Sequence, residues 1–168
     1  VGALASRIDA PATASVGDAL APVIRWGTGT GSMDTAETAT PVICLPPASG
    51  MCWEFAGLAR ALGPQVPVVG LQSRSLTDPS ALGRPFDEVV ADYCDRIDDL
   101  GVGDRISLVG WSFGGIVAVA IVGALRRRGY TVEPLIVLDA YRPDGSTAPR
   151  DDHLTVLLRE LGITPPID

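Results

Sequence analysis

The sequence predicts an α/β fold, a mostly parallel sheet with flanking helices. Three observations carry that expectation. From Pro41 onward short apolar runs alternate with segments of helical periodicity, the signature of βαβ units. One of those runs leads straight into Gly110-Trp111-Ser112-Phe113-Gly114 and then into a small-residue helix. The chain has 168 residues, 46% of them apolar, and a chain of that size can bury roughly two thirds of its unfolded surface, enough for one core.

Charge and cysteine usage narrow the partners. Twenty acidic residues against 13 basic ones give a formal net charge of −7. The lone basic cluster, Arg126-Arg127-Arg128, reads as a helix end, so neither nucleic acid nor an anionic membrane is the expected partner. Cys44, Cys52 and Cys94 lack CxxC spacing and His153 is the single histidine, so no metal site and no disulfide framework are expected. A reducing, cytoplasmic setting is the simpler reading, with no signal peptide at the start. The longest apolar stretch, 114–125, is about half of what a bilayer crossing needs.

Taken in order, residues 1–10 place Val1, Leu4, Ala5 and Ile8 on one helical face. No cap precedes Val1, so this helix is expected to be the end of an upstream domain. Residues 11–35, with Pro11 and the Gly/Thr/Ser-rich stretch 27–32, have linker composition, and the main domain is expected over 36–168. Within it, 42–45 is the first clear strand, 53–62 a helix, 66–71 a strand, 86–100 a helix and 105–110 a strand. Residues 116–128 read as a helix whose buried side is Ile116, Val117, Ala120, Ile121 and Ala124, stopped by Gly129. Residues 135–138 read as a buried strand with Asp139 just past its end. In 151–161, Leu154, Leu157, Leu158 and Leu161 form a last helical stripe behind an Asp pair. No internal repeat is visible.

The candidate chemistry centres on Ser112. A GxSxG between a strand and a helix is a nucleophile elbow, with Gly110 and Gly114 allowing strand and helix to approach. The bland alternative is an ordinary strand-to-helix turn containing a serine. A serine alcohol needs a base, normally a histidine oriented by a carboxylate. Asp139, at the carboxyl end of the next strand, is the candidate orienting group, unless it only caps the following turn. The backbone amides of Phe113 and Ala48 are the candidate oxyanion donors. Pro46 and Pro47 stiffen the loop 46–50 and leave Ala48 its first free amide, although that loop could also be plain connection. His153 follows Asp139 with no intervening strand, so it reads as a surface or helix-end histidine, and the catalytic base is expected beyond this sequence.

Together, Cys44-Leu45-Pro46-Pro47-Ala48-Ser49-Gly50, Trp53, Phe55, Val69-Gly70-Leu71-Gln72-Ser73, Gly110-Trp111-Ser112-Phe113-Gly114-Gly115 and Leu135-Ile136-Val137-Leu138-Asp139 give the chain from about Ile24 a resemblance to a known family. It resembles the amino-terminal part of the thioesterase domain that closes nonribosomal peptide synthetases and related polyketide synthases, an α/β-hydrolase fold. The PPASG loop with its following Trp and the GLQS strand end look most like siderophore-type synthetases. The opening eight residues resemble the last helix of a peptidyl carrier domain.

By this resemblance Ser112 takes the peptidyl chain from the carrier's phosphopantetheine thioester, and Asp139 orients the base. Ala48 and Phe113 supply the oxyanion amides, and residues after Arg142 begin the lid. The domain binds no cofactor of its own. The rest of the lid, the last strands and the histidine loop have no counterpart here, so a chain ending at Asp168 is expected to expose a sheet edge. Two other readings stay open: a free-standing editing thioesterase or esterase, and a non-catalytic carrier-docking fragment.

Overall fold

The computed structural model describes residues 19–27 and 39–140. Five strands form one sheet in the order β1-β3-β2-β4-β5, where β1 is Val23–Trp26, β2 Val42–Leu45, β3 Val68–Leu71, β4 Arg105–Trp111 and β5 Thr131–Leu138. β1 runs antiparallel to β3, and the other neighbours are parallel. Three α-helices connect them, α1 (Ala56–Leu62), α2 (Phe86–Asp99) and α3 (Phe113–Arg127).

A parallel sheet must bury both faces, and the strand residues divide accordingly. Ile43, Leu45, Leu71, Ile106 and Leu108 face α2 and α3, meeting Ile97, Val117, Ile121 and Leu125. Val42, Cys44, Val68 and Val109 face the other way, onto Phe55 and Ala59 at α1. Truncating one of these fully buried aliphatics to Ala is expected to cost about 2–5 kcal/mol. The chain leaves β2 for β3 on one side and then crosses to β4 on the other. The crossover helices change face with that reversal, as right-handed connections require. The crevice at such a reversal lies at the carboxyl ends of the strands, here β2 and β4.

Several expectations change. Residues 11–35 were expected as linker, yet Val23–Trp26 is a strand whose four residues pair with β3. Its sheet bonds are backbone bonds, for which composition gives no sign. α3 begins at Phe113, so the Gly114-Gly115 pair lies in its first turn. Its buried residues are Gly114, Gly115, Val117, Ala118, Ile121 and Leu125, while Ile116 and Ala124 are half-buried and Ala120 is exposed. Close packing of Gly114 on the end of β2 sets that rotation. Residues 135–138 lie in an edge strand among the described residues, 38% to 44% exposed, because β5 has a partner only in β4. The basic triplet is a helix end: Arg126 and Arg127 close α3, and Arg128 pairs with Asp95 at 2.8 Å and with Asp98, both on α2.

The helices expected over 1–10 and 151–161, most of the linker, the lid after Arg142 and His153 lie outside the described residues. Among the described residues no helix is long and apolar enough to cross a membrane.

Candidate active site

Ser112 occupies the single residue between β4 and α3, with φ 52° and ψ −117°. Steric overlap disfavours that region for a residue with a Cβ, at about 1–3 kcal/mol, so the surroundings must hold it there. They do so on both sides. The Ser112 amide donates to Leu138 O at 2.8 Å, and the Ser112 carbonyl accepts from the Gly115 and Ile116 amides.

The two flanking glycines are required by close approach. A Cβ on Gly110 would lie 2.3 Å from Gly114 O. A Cβ on Gly114 would lie 2.3 Å from Leu45 O and 2.4 Å from Pro46 O. The elbow is thus pressed against the backbone that leads into the loop carrying Ala48.

Asp139 follows β5 with φ 47°, in the left-handed region that Asp tolerates better than most residues. The parallel register pairs Trp111 with Leu138, so the next residue of each strand, Ser112 and Asp139, emerges at the same edge of the sheet. Asp139 is exposed and Ser112 half-buried.

The loop after β2 turns back through a bond from the Gly50 amide to Pro47 O at 2.9 Å. Among the described residues neither the Ala48 nor the Phe113 amide donates to a backbone carbonyl. The Phe113 amide is one of the four orphan donors at the start of α3, where the helix dipole favours negative charge. Ala48 and Phe113 border one cleft of about 280 Å³, walled also by Leu82 and Tyr93 and rimmed by Arg74 and Arg84. Both arginines are paired, Arg74 with Asp92 and Arg84 with Glu88 at 3.2 Å. Phe113 meets Phe86 edge-on with ring centroids 6.2 Å apart.

The structure thus brings Ser112, Asp139, Ala48, Phe113, Gly110 and Gly114 to one edge of the sheet. No histidine stands among the described residues, and none of their His, Cys, Asp or Glu clusters could hold a metal.

Sequence reasoning missed a buried polar group beside this cleft. Gln72 is 0% exposed and Arg96 7% exposed. Arg96 donates to Gln72 O at 2.8 Å and to Pro22 O at 2.5 Å, lies 3.6 Å from Asp92, and stacks 5.3 Å from the Tyr93 ring centre. Burial lowers the pKa of its guanidinium, against the opposing pull of Tyr93 and Asp92. The one signal was the Asp92 to Arg96 spacing of four on a helix.

Comparison with known proteins identifies the family and the fold. The model of the family described as "Thioesterase domain" matches residues 40–167. The chain is 32% identical over 96% of its length to the dimodular nonribosomal peptide synthase of Bacillus subtilis (strain 168), of which it spans 6%. It is 34% identical over 61% of its length to enterobactin synthase component F of Escherichia coli (strain K12), spanning 8% of that protein. Among solved structures, the NocB thioesterase domain in covalent complex with a fluorophosphonate nocardicin G analog superposes with a TM-score of 0.66. That match is 22% identical and covers 88% of this chain and 62% of the other, a likeness of fold.

Proposed function

Since this chain belongs to the thioesterase-domain family, we propose that it is the amino-terminal part of the chain-releasing thioesterase of a nonribosomal peptide synthetase, of siderophore type. The observation that carries the reading is the strained Ser112, held by its amide to the peptide group that precedes Asp139. The α/β-hydrolase arrangement, an elbow at the carboxyl edge of a mostly parallel sheet, goes with it.

Ser112 Oγ attacks the carbonyl carbon of a peptidyl thioester borne on a carrier's phosphopantetheine, giving its proton to a base that Asp139 orients. The base lies outside the described residues. The amides of Ala48 and Phe113 donate to the oxyanion of the tetrahedral intermediate. Collapse breaks the C–S bond, the base returns the proton to the departing thiol, and the peptidyl chain is left as an ester on Ser112. Water or a nucleophile of the peptide itself then attacks that ester and frees the serine. The domain needs no cofactor for these steps.

In this reading residues 1–10 belong to the end of an upstream carrier domain of the same synthetase. The match to the Bacillus subtilis synthase over 96% of the chain supports an upstream carrier, and the match to enterobactin synthase component F supports the siderophore type. The free, buried cysteines Cys44, Cys52 and Cys94 suit a reducing cytoplasm.

The test is release of a peptide from a loaded carrier by the protein at its natural length. Turnover that disappears in Ser112→Ala supports the reading. Turnover confined to short acyl groups on carriers would assign an editing thioesterase instead, and turnover unchanged by the substitution would remove Ser112 from the chemistry.

A further inference from the structure

The loop that carries Ala48 is held at both of its ends. At the near end Gly114 packs on the carbonyls of Leu45 and Pro46. At the far end the two residues that follow β3 supply the hold: the Ser73 amide donates to Gly50 O at 2.8 Å, and Gln72 Oε1 accepts from the Cys52 amide at 3.1 Å. Gln72 is the hub of this second clamp. Its Nε2 donates to Ala19 O at 2.9 Å and to Ala21 O at 2.8 Å, its backbone amide donates to Pro22 O, and its carbonyl accepts from the buried Arg96.

Only a neutral amide fits this set of partners. Two carbonyls need donors and one amide needs an acceptor, and a glutamine side chain supplies both kinds. A carboxylate offers acceptors alone and would face two carbonyl oxygens. An apolar isostere would leave the Cys52 N–H and the Ala21 carbonyl unpaired, while Ala19 O would keep its bond from Trp53 Nε1.

We infer that Gln72 is a positioning residue for the reaction, acting through the Cys52 amide to fix where the Ala48 amide stands beside Ser112. This rests on the reading of Ser112 as nucleophile and Ala48 as oxyanion donor. Gln72 touches no substrate. Loosening its hold shifts one oxyanion donor while Ser112, Asp139 and the cleft wall at Phe113 stay in place. The defect therefore falls on the tetrahedral state, while ground-state binding is spared.

The experiment uses the protein at its natural length and two probes. A peptidyl boronic acid forms a tetrahedral adduct on Ser112, and a non-cleavable thioether analogue of the substrate reports ground-state binding. In Gln72→Met the boronate Kd rises about tenfold or more, the thioether Kd stays within about twofold, and kcat falls with KM little changed. Trp53→Phe removes the bond from Trp53 Nε1 to Ala19 O at 3.0 Å but leaves the Cys52 bond, and it keeps the wild-type ratio of the two affinities.

Gln72→Glu covers the case in which Gln72→Met does not fold. Protonated, the new side chain can still donate to one carbonyl and accept from Cys52. Ionised, it cannot donate, so its boronate affinity relative to wild type falls as pH rises. A folded Gln72→Met with the wild-type affinity ratio, or a Gln72→Glu with a flat relative pH profile, overturns the inference. A wild-type protein that does not bind the boronate, or binds it equally in Ser112→Ala, overturns the underlying assignment of Ser112 as well.

Discussion

The Ser112 amide donates to the carbonyl of Leu138 at 2.8 Å, so the peptide group that leads into Asp139 is tied directly to the turn that carries the serine. Ser112 and Asp139 are also the two non-glycine residues with positive φ among the described residues. Strain at adjacent strand ends, joined by one hydrogen bond, fixes the relative position of the two side chains more firmly than either loop could alone.

That strain is measurable. Ser112→Ala and Ser112→Gly both abolish turnover, but the glycine variant relieves the φ of 52° and melts higher than the alanine variant. The difference is on the order of 1 kcal/mol, since glycine's unfolded-state entropy offsets part of the relief. Calorimetry of the two variants decides it, and an alanine variant melting above the glycine one contradicts the strained geometry.

At Asp139 the informative change is Asp139→Asn, because Asn tolerates the same φ of 47°. The fold and melting temperature stay close to wild type, while kcat/KM falls on the order of 10²–10⁴ through loss of the orienting charge. Steady-state kinetics beside a thermal melt separates this from unfolding, and unchanged kinetics would assign Asp139 to turn capping.

Glycine substitutions distinguish close approach from flexibility. Gly114→Ala would place a methyl group 2.3 Å from Leu45 O, and overpacking of this kind costs about 1–3 kcal/mol or more. Gly57, exposed in α1, would meet nothing within 4 Å, so Gly57→Ala stabilises by about 0.5–1 kcal/mol. Urea unfolding of the pair is expected to give shifts of opposite sign.

Alkaline pH acts on the core. Burial pushes the Cys44 thiol from 9.0 up to about 12, and raises the Cys52 thiol and the Tyr93 phenol as well. The unfolded chain releases these protons near pH 9–10 while the folded chain keeps them, so stability is complete below about pH 9 and is lost as pH rises toward 12. Each such group contributes a slope of about 1.4 kcal/mol per pH unit in that window. Urea midpoints should fall steadily above about pH 9, less steeply in Cys44→Ala, and midpoints flat to about pH 11 contradict the burial of these groups.

What was legible in the sequence follows from where each interaction sits. β2, β3 and β4 are apolar runs that end in turn residues, and the elbow is a local motif between a strand and a helix, so Ser112 and Asp139 could be singled out. β1 could not, because Val23–Trp26 joins the sheet through backbone bonds to β3, which lies more than forty positions further along the chain. The buried face of α3 was misjudged because Ile116 and Ala120 look as apolar as Val117 and Ala118. The contact that sets the rotation belongs to Gly114, which carries no hydropathy. The burial of Gln72 and Arg96 was not legible because their partners include carbonyls of residues 19–22, far away in sequence and invisible as side-chain chemistry.

The most direct measurement is active-site labelling with a fluorophosphonate probe, read by intact mass and mapping of the modified peptide in the protein at its natural length. One label on the peptide containing Ser112, absent in Ser112→Ala, is the predicted result. A folded protein that takes no label, or takes it on another residue, contradicts the assignment of Ser112 as the nucleophile.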